Sequence, residues 1–198
     1  MIKLTKIQKE MFYYMQDVKH PALFCTMRSR KTIVVLKDLL FQENFPVLIC
    51  TPLNALHGWS SDLEKLGVTK NEVQLLVGTK KKKEKLFDAN KKFTLTNKEF
   101  YRSMPNLTKE LKPQSIVLDE AHCVKDPKTA MTKFYMNNLE FKKANRRYIL
   151  TGTPMHNSLL DIYCQLQFLD PTIFNCNSYW VFRKKFFYNS WTPNKNYN

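Results

Sequence analysis

Four short apolar runs in this chain end in polar or reactive residues, and that pattern leaves few folds open to it. Ala22-Leu23-Phe24-Cys25 leads into a loop closed by Lys31-Thr32, and Val47-Leu48-Ile49-Cys50 ends at Thr51-Pro52. Ile116-Val117-Leu118 runs straight into Asp119-Glu120, and Tyr148-Ile149-Leu150 ends in Thr151-Gly152-Thr153-Pro154. Short apolar runs rich in β-branched residues read as strands buried on both faces. Residues 73–77 and 93–96 read the same way. Helical spacing fills the intervals, so strands alternate with helices. Such a series predicts an α/β fold with a mainly parallel central sheet between two helical layers. In open sheets of this kind, ligands sit at the C-terminal strand ends.

The helices are legible from their apolar positions. Leu4, Ile7, Met11 and Met15 predict a helix over 5–16, with Gln8 beside the apolar stripe. Residues 33–40 continue as a helix after Lys31-Thr32. Leu56, Trp59 and Leu63 mark the next one, with Gly67 as its C-cap. Residues 97–102 read as helical, and Pro105 and Pro113 bracket a loop-rich stretch. A helix begins at Pro127 with an apolar face of Met131, Phe134, Tyr135 and Leu139. Another runs from Ser158 to Phe168 and is ended by Asp170-Pro171. Residues 1–170 are expected to form one lobe. Residues 171–198 form an aromatic, basic extension whose start packs as a helix and whose last residues fray.

Strand, tight loop, Lys-Thr, helix is the layout of a phosphate-binding loop. Such a loop needs inward backbone N–H groups, a lysine for the β/γ phosphates and a hydroxyl for Mg²⁺. Lys31 and Thr32 fit the two side-chain roles. The usual spacing would place glycines at Cys25 and Arg30, yet the chain has 4 glycines and none is there. A bulky residue beside Lys31 is expected to adopt positive φ, at roughly 1–3 kcal/mol, or to reshape the loop.

The formal charge is +15, from 32 basic and 17 acidic residues. That excess points to a polyanionic partner, nucleic acid first; solubility or a lysine-rich compositional bias is the plainer account. The run Lys80-Lys81-Lys82-Lys83-Glu84-Lys85 reads as a solvated helix start, with Lys81 and Lys82 as candidate phosphate contacts. The 5 cysteines are odd in number and lack zinc-site spacing, so neither a metal cage nor disulfides are expected. No apolar run approaches the ~20 residues of a membrane span. The N-terminus lacks a secretory signal, so an intracellular, cytoplasmic protein is expected.

Taken in order, Lys31-Thr32, Thr51-Pro52, Asp119-Glu120-Ala121-His122 and Thr151-Gly152-Thr153-Pro154 resemble motifs I, Ia, II and III of superfamily-two helicases. Residues 50–56 with Trp59, residues 95–99 and residues 148–158 resemble the Swi/Snf group of double-stranded DNA translocases. The compact form is similar to versions carried by bacterial viruses. The resemblance implies a RecA-like lobe of the P-loop NTPase class that uses ATP and Mg²⁺ as a DNA-dependent hydrolase. It implies that Gln8 reads adenine, that Arg28, Ser29 and Arg30 line the nucleotide loop, and that Lys31 binds the β/γ phosphates. Thr32 and Asp119 would hold Mg²⁺, and Glu120 would orient or deprotonate the attacking water. His122, Thr151, Gly152 and Thr153 would couple the nucleotide to DNA. Thr51-Pro52 and Thr96-Asn97 would lie along a phosphate backbone.

Two departures from the family pattern set the alternatives. Arginines stand at 28 and 30 where family members have glycine. Either they contact phosphate in a reshaped loop, or nucleotide binding is weakened or lost. The family's motors also have a second RecA-like lobe that supplies an arginine finger, and the chain is expected to lack it. The competing expectation is a catalytically inactive module that binds DNA or inhibits a protein partner. A truncated piece of a longer motor fits as well.

Overall fold

The structure, a computed structural model, describes residues 2–26, 29–155, 158–176 and 178–187. Six strands form one sheet: β1 (Ala22–Phe24), β2 (Val47–Thr51), β3 (Val73–Leu76), β4 (Phe93–Asn97), β5 (Ser115–Asp119) and β6 (Arg146–Thr151). Their spatial order is β1-β6-β5-β2-β4-β3, and every pairing is parallel. The expected mainly parallel sheet is all parallel among the described residues.

Ten helices connect and cover the described strands. They are α1 (Lys6–Asp17), α2 (Lys31–Gln42), α3 (Leu56–Lys65), α4 (Lys80–Leu86), α5 (Phe100–Ser103), α6 (Leu107–Leu111), α7 (Ala130–Asn137), α8 (Leu139–Lys143), α9 (Ile162–Leu169) and α10 (Tyr179–Phe186). The period of two along each strand divides its side chains between two cores. Val47, Ile49, Val117, Tyr148 and Leu150 pack under α1, α2 and α3 with Met15, Val35, Leu39 and Trp59. Leu48, Cys50, Ile116, Leu118 and Ile149 pack on the other face with Phe100, Leu111, Tyr135, Phe141 and Phe168. Burial on both faces is why these strands read as continuous apolar runs.

Local chemistry explains where the elements differ from expectation. The stretch between Pro105 and Pro113 holds α6, whose Leu107 and Leu111 are buried. The helix expected through Leu139 breaks at Asn138. That residue ends α7, and its side chain accepts N–H bonds from Glu140 and Phe141 to start α8. Leu139 is consequently 67% exposed rather than part of the apolar face. Gly67 behaves as expected, with φ +88 just past α3.

Lys83 corrects the reading of the lysine run as wholly solvated. It is 4% exposed, and its Nζ donates to Asn97 Oδ1 at 2.9 Å and to Ser103 Oγ at 3.2 Å. Burial lowers its pKa and Glu99 opposes the shift. Lys81 and Lys82 remain exposed on the same helix.

At the end of the sheet away from the reactive residues, Asp38 of α2 is fully buried. Arg146 Nη2 lies 3.0 Å from Asp38 Oδ2, and Tyr148 Oη donates to the same oxygen at 2.6 Å. Gln16 of α1 donates to Asp38 Oδ1, and Arg146 also donates to the Met15 carbonyl. This polar network ties α1, α2 and β6 together beneath the apolar core.

The described part of the C-terminal extension packs on α9. Tyr163 and Phe174 stack at 5.7 Å, and Phe182 lies 4.7 Å from Tyr163. Residues 188–198, expected to fray, lie outside the described residues.

Candidate functional site

All six strands point the same way, so the reactive strand ends gather along one edge of the sheet. In register, Thr51 pairs with Asn97, Asp119 with Leu150 and Phe24 with Thr151. A cleft runs along this edge. Its phosphate-like end, about 640 Å³, is lined by Arg30, Lys31, Thr32, Asp62, Lys65, Asp119 and Glu120. It shares Ile2, Arg30 and Ile33 with a neighbouring hollow of about 610 Å³ that includes Gln8, Cys25 and Ser29. Lys31, Thr32, Asp119 and Glu120 are therefore brought together as the sequence implied, with Gln8 at the far end.

The loop after β1 takes up the conformation that glycine would favour. Arg30 sits in the left-handed region at φ 53, ψ 36, immediately before α2. An L-residue pays roughly 1–2 kcal/mol for that geometry. Lys31 is 8% exposed and its Nζ lies 3.5 Å from the Cys25 carbonyl, across the turn. Ser29 Oγ is buried with no hydrogen-bond partner. Arg28, expected beside it, lies outside the described residues, as do Met27, His156 and Asn157.

Asp119 is held from three directions. Its Oδ2 accepts from Thr51 Oγ1 at 2.8 Å and from Trp59 Nε1 at 3.1 Å. Its Oδ1 accepts from the Glu120 N–H at 2.9 Å. The carboxylate is thus aimed by β2 and α3. A carboxylate accepts more than these bonds, so a water shell around Mg²⁺ remains within its reach. Thr51 is fully buried, so its hydroxyl orients the acid and does not offer itself to a phosphate backbone. Thr96 is likewise buried and donates to the Leu76 carbonyl. Asn97 bridges Lys83 and Glu99.

Glu120 also occupies the left-handed region, at φ 48, ψ 56. Its backbone carbonyl accepts from Lys98 Nζ at 3.2 Å. Its Oε2 is buried and lies 3.2 Å from His122 Nδ1. His122 Nδ1 is also 3.0 Å from Thr151 Oγ1, and that oxygen accepts the Thr153 N–H at 3.1 Å. The turns after β5 and β6 are joined by this chain of contacts. Gly152 lies inside the second turn. Arg30 and Glu120, at the two arms of one cleft, both have positive φ, as do Glu43, Lys112 and Asn175 elsewhere.

Gln8 is 7% exposed and belongs to a capping box with Thr5. Its Oε1 accepts the Thr5 N–H at 3.0 Å, so its amide nitrogen is what it can offer a base. The residues fit Mg²⁺ and a nucleotide triphosphate. A buried oxygen without a hydrogen-bond partner, Ser29 Oγ, stands beside a cleft carrying Lys31, Thr32, Asp119 and Glu120.

Trp59 and Lys98 were not visible as site residues from sequence spacing. Trp59 read as a core residue at helical spacing. The available signal was its indole N–H, which needs a partner once buried. Lys98 lay in a stretch read as helical and similar to the family's sequences, and nothing local announces that its amine reaches Glu120.

The sheet order and the flanking helices define a RecA-like α/β lobe. The SNF2-related domain family matches residues 1–196, and the chain belongs to that family. It is 28% identical over 155 residues to the human SWI/SNF-related matrix-associated actin-dependent regulator of chromatin subfamily A member 1, covering 75% of this chain and 14% of that protein. It is 30% identical over 153 residues to Transcription regulatory protein SNF2 of Saccharomyces cerevisiae, covering 75% of this chain and 9% of that protein. The Sulfolobus solfataricus SWI2/SNF2 ATPase core in complex with dsDNA superposes with a TM-score of 0.73 at 27% identity, over 93% of this chain and 39% of that one. The chain thus spans a small part of its curated relatives.

Proposed function

We propose that this chain is the ATP-binding lobe of a DNA-dependent ATPase that acts on double-stranded DNA. The observation that carries the reading is the meeting of Lys31, Thr32, Asp119 and Glu120 in one cleft that continues to Gln8. Lys31 would neutralise the β/γ phosphates, and Thr32 and Asp119 would hold Mg²⁺. Bound there, Mg²⁺ and ATP supply the phosphoryl group and screen its charge. Glu120, fixed by Lys98 at its carbonyl, orients the attacking water or takes its proton. Thr51 and Trp59 keep Asp119 aimed, which limits reorganisation during the reaction. His122 and Thr151 link Glu120 to the β6 turn. In the family's motors a second lobe supplies an arginine, a contribution worth ~10³–10⁵ in rate in related enzymes. Hydrolysis is accordingly expected to need that lobe, on this polypeptide or another.

A second reading, a binding module without hydrolysis, is favoured by Arg30 in the nucleotide loop and by Lys31 folded toward the Cys25 carbonyl. DNA titrations separate the two. Pro52, Lys81 and Lys82 are the candidate contacts left at the strand edge and on α4. Duplex binding is expected to weaken as salt rises. The Lys81→Ala, Lys82→Ala double variant should flatten the plot of log K against log salt by about 2, near 0.9 per lost phosphate contact. Affinity that responds to MgATP supports the ATPase lobe, and affinity indifferent to MgATP supports the module. An unchanged salt slope in the double variant would remove both lysines from the interface.

A further inference from the structure

Helix α3 carries more into the cleft than its tryptophan. Trp59, Asp62 and Lys65 recur at intervals of three, so they share one side of the helix. Trp59 fixes that side by donating to Asp119. Asp62 and Lys65 then line the same hollow as Lys31 and Glu120. The hollow that holds Gln8 includes neither of them. They line only the hollow that does not include Gln8.

In that hollow three carboxylates, Asp62, Asp119 and Glu120, stand among three cations, Arg30, Lys31 and Lys65, of which only Lys31 is buried. Lys65 is paired with Asp62 at 2.8 Å, with side chains 57% and 22% exposed. An exposed pair one turn apart is weak, because solvent screens it and two side chains must be ordered to make it. A phosphate carrying more than one charge competes well for such an amine. We infer that Lys65 is a second phosphate-binding lysine, held by Asp62 in the structure and transferred to the terminal phosphate when a nucleoside triphosphate binds.

The inference rests on the nucleotide reading of the cleft and adds a source of selectivity to it. A lysine placed at the terminal phosphate touches a triphosphate and falls short of a diphosphate. The bland alternative is an ordinary surface pair with no bearing on ligands.

Calorimetric titration of the full chain with MgATP and with MgADP distinguishes these. Lys65→Ala should weaken MgATP about tenfold and MgADP less than about threefold, as expected for one lost charge-assisted contact. Lys65→Arg should restore MgATP affinity, and Asp62→Asn should tighten it by releasing the amine. The melting temperature of Lys65→Ala should match that of the unsubstituted chain. Equal weakening of both nucleotides, or of neither, overturns the role given to Lys65 and leaves the cleft reading standing. Binding of neither nucleotide by the unsubstituted chain overturns both.

Discussion

Asp38→Ala is expected to lower folding stability by about 3–5 kcal/mol. The carboxylate is fully buried and faces Arg146, which is 6% exposed. It accepts from Tyr148 Oη and from the Gln16 amide as well. Removing it leaves an arginine charge and two polar groups without their partner inside a dry region. Uncompensated buried charge is among the few causes of losses this large. Domains are stable by about 5–15 kcal/mol, so a fifth or more of the total is at stake. Replacing the pair together, Asp38→Leu with Arg146→Met, should recover much of the loss, because no charge is then stranded. Urea unfolding followed by far-UV circular dichroism measures both variants. A loss under about 1 kcal/mol for Asp38→Ala would mean that Arg146 finds water or another acceptor.

Asp119→Ala is expected to have two effects with different origins. Thr51 Oγ1 and Trp59 Nε1 both lose their acceptor, and at about 1–3 kcal/mol per orphaned buried group the combined loss is about 2–6 kcal/mol. The same substitution removes a proposed Mg²⁺ ligand. A double-mutant cycle separates the structural part. In a Trp59→Phe background the indole donor is already gone, so Asp119→Ala should cost about 1 kcal/mol less. Purely additive losses would mean that the 3.1 Å contact between Trp59 and Asp119 contributes nothing.

What the sequence disclosed follows from the range over which its signals act. Residues 116–120 are apolar and then acidic because β5 is buried and ends at the sheet edge, and both facts are local. Lys31-Thr32 is legible for the same reason: it sits where a strand, a turn and a helix meet. Gly67 and Asn138 act through one helical turn, although the second was missed because its capping role competes with an apolar period that continues past it. The supports of the acids are different. Thr51 reaches Asp119 across 68 positions and Trp59 across 60. Periodicity says which face a residue occupies and is silent about its partner. Lys83 was misread because a lysine is usually solvated, and the stretch around Lys98 said nothing of its partner. Each is buried only because a strand end from elsewhere in the chain presents an oxygen to it. Arg30 was anticipated either at positive φ or in a reshaped loop, and it takes positive φ where the chain turns into α2.

The account turns on whether Lys31 and the acids opposite it still receive a nucleotide. Titrating MgATP into the full chain, unsubstituted and as Lys31→Ala, measures this directly by calorimetry. Saturable, Mg²⁺-dependent heat that Lys31→Ala abolishes is the predicted result. The absence of heat at millimolar MgATP, or equal binding by the Lys31→Ala variant, would contradict it.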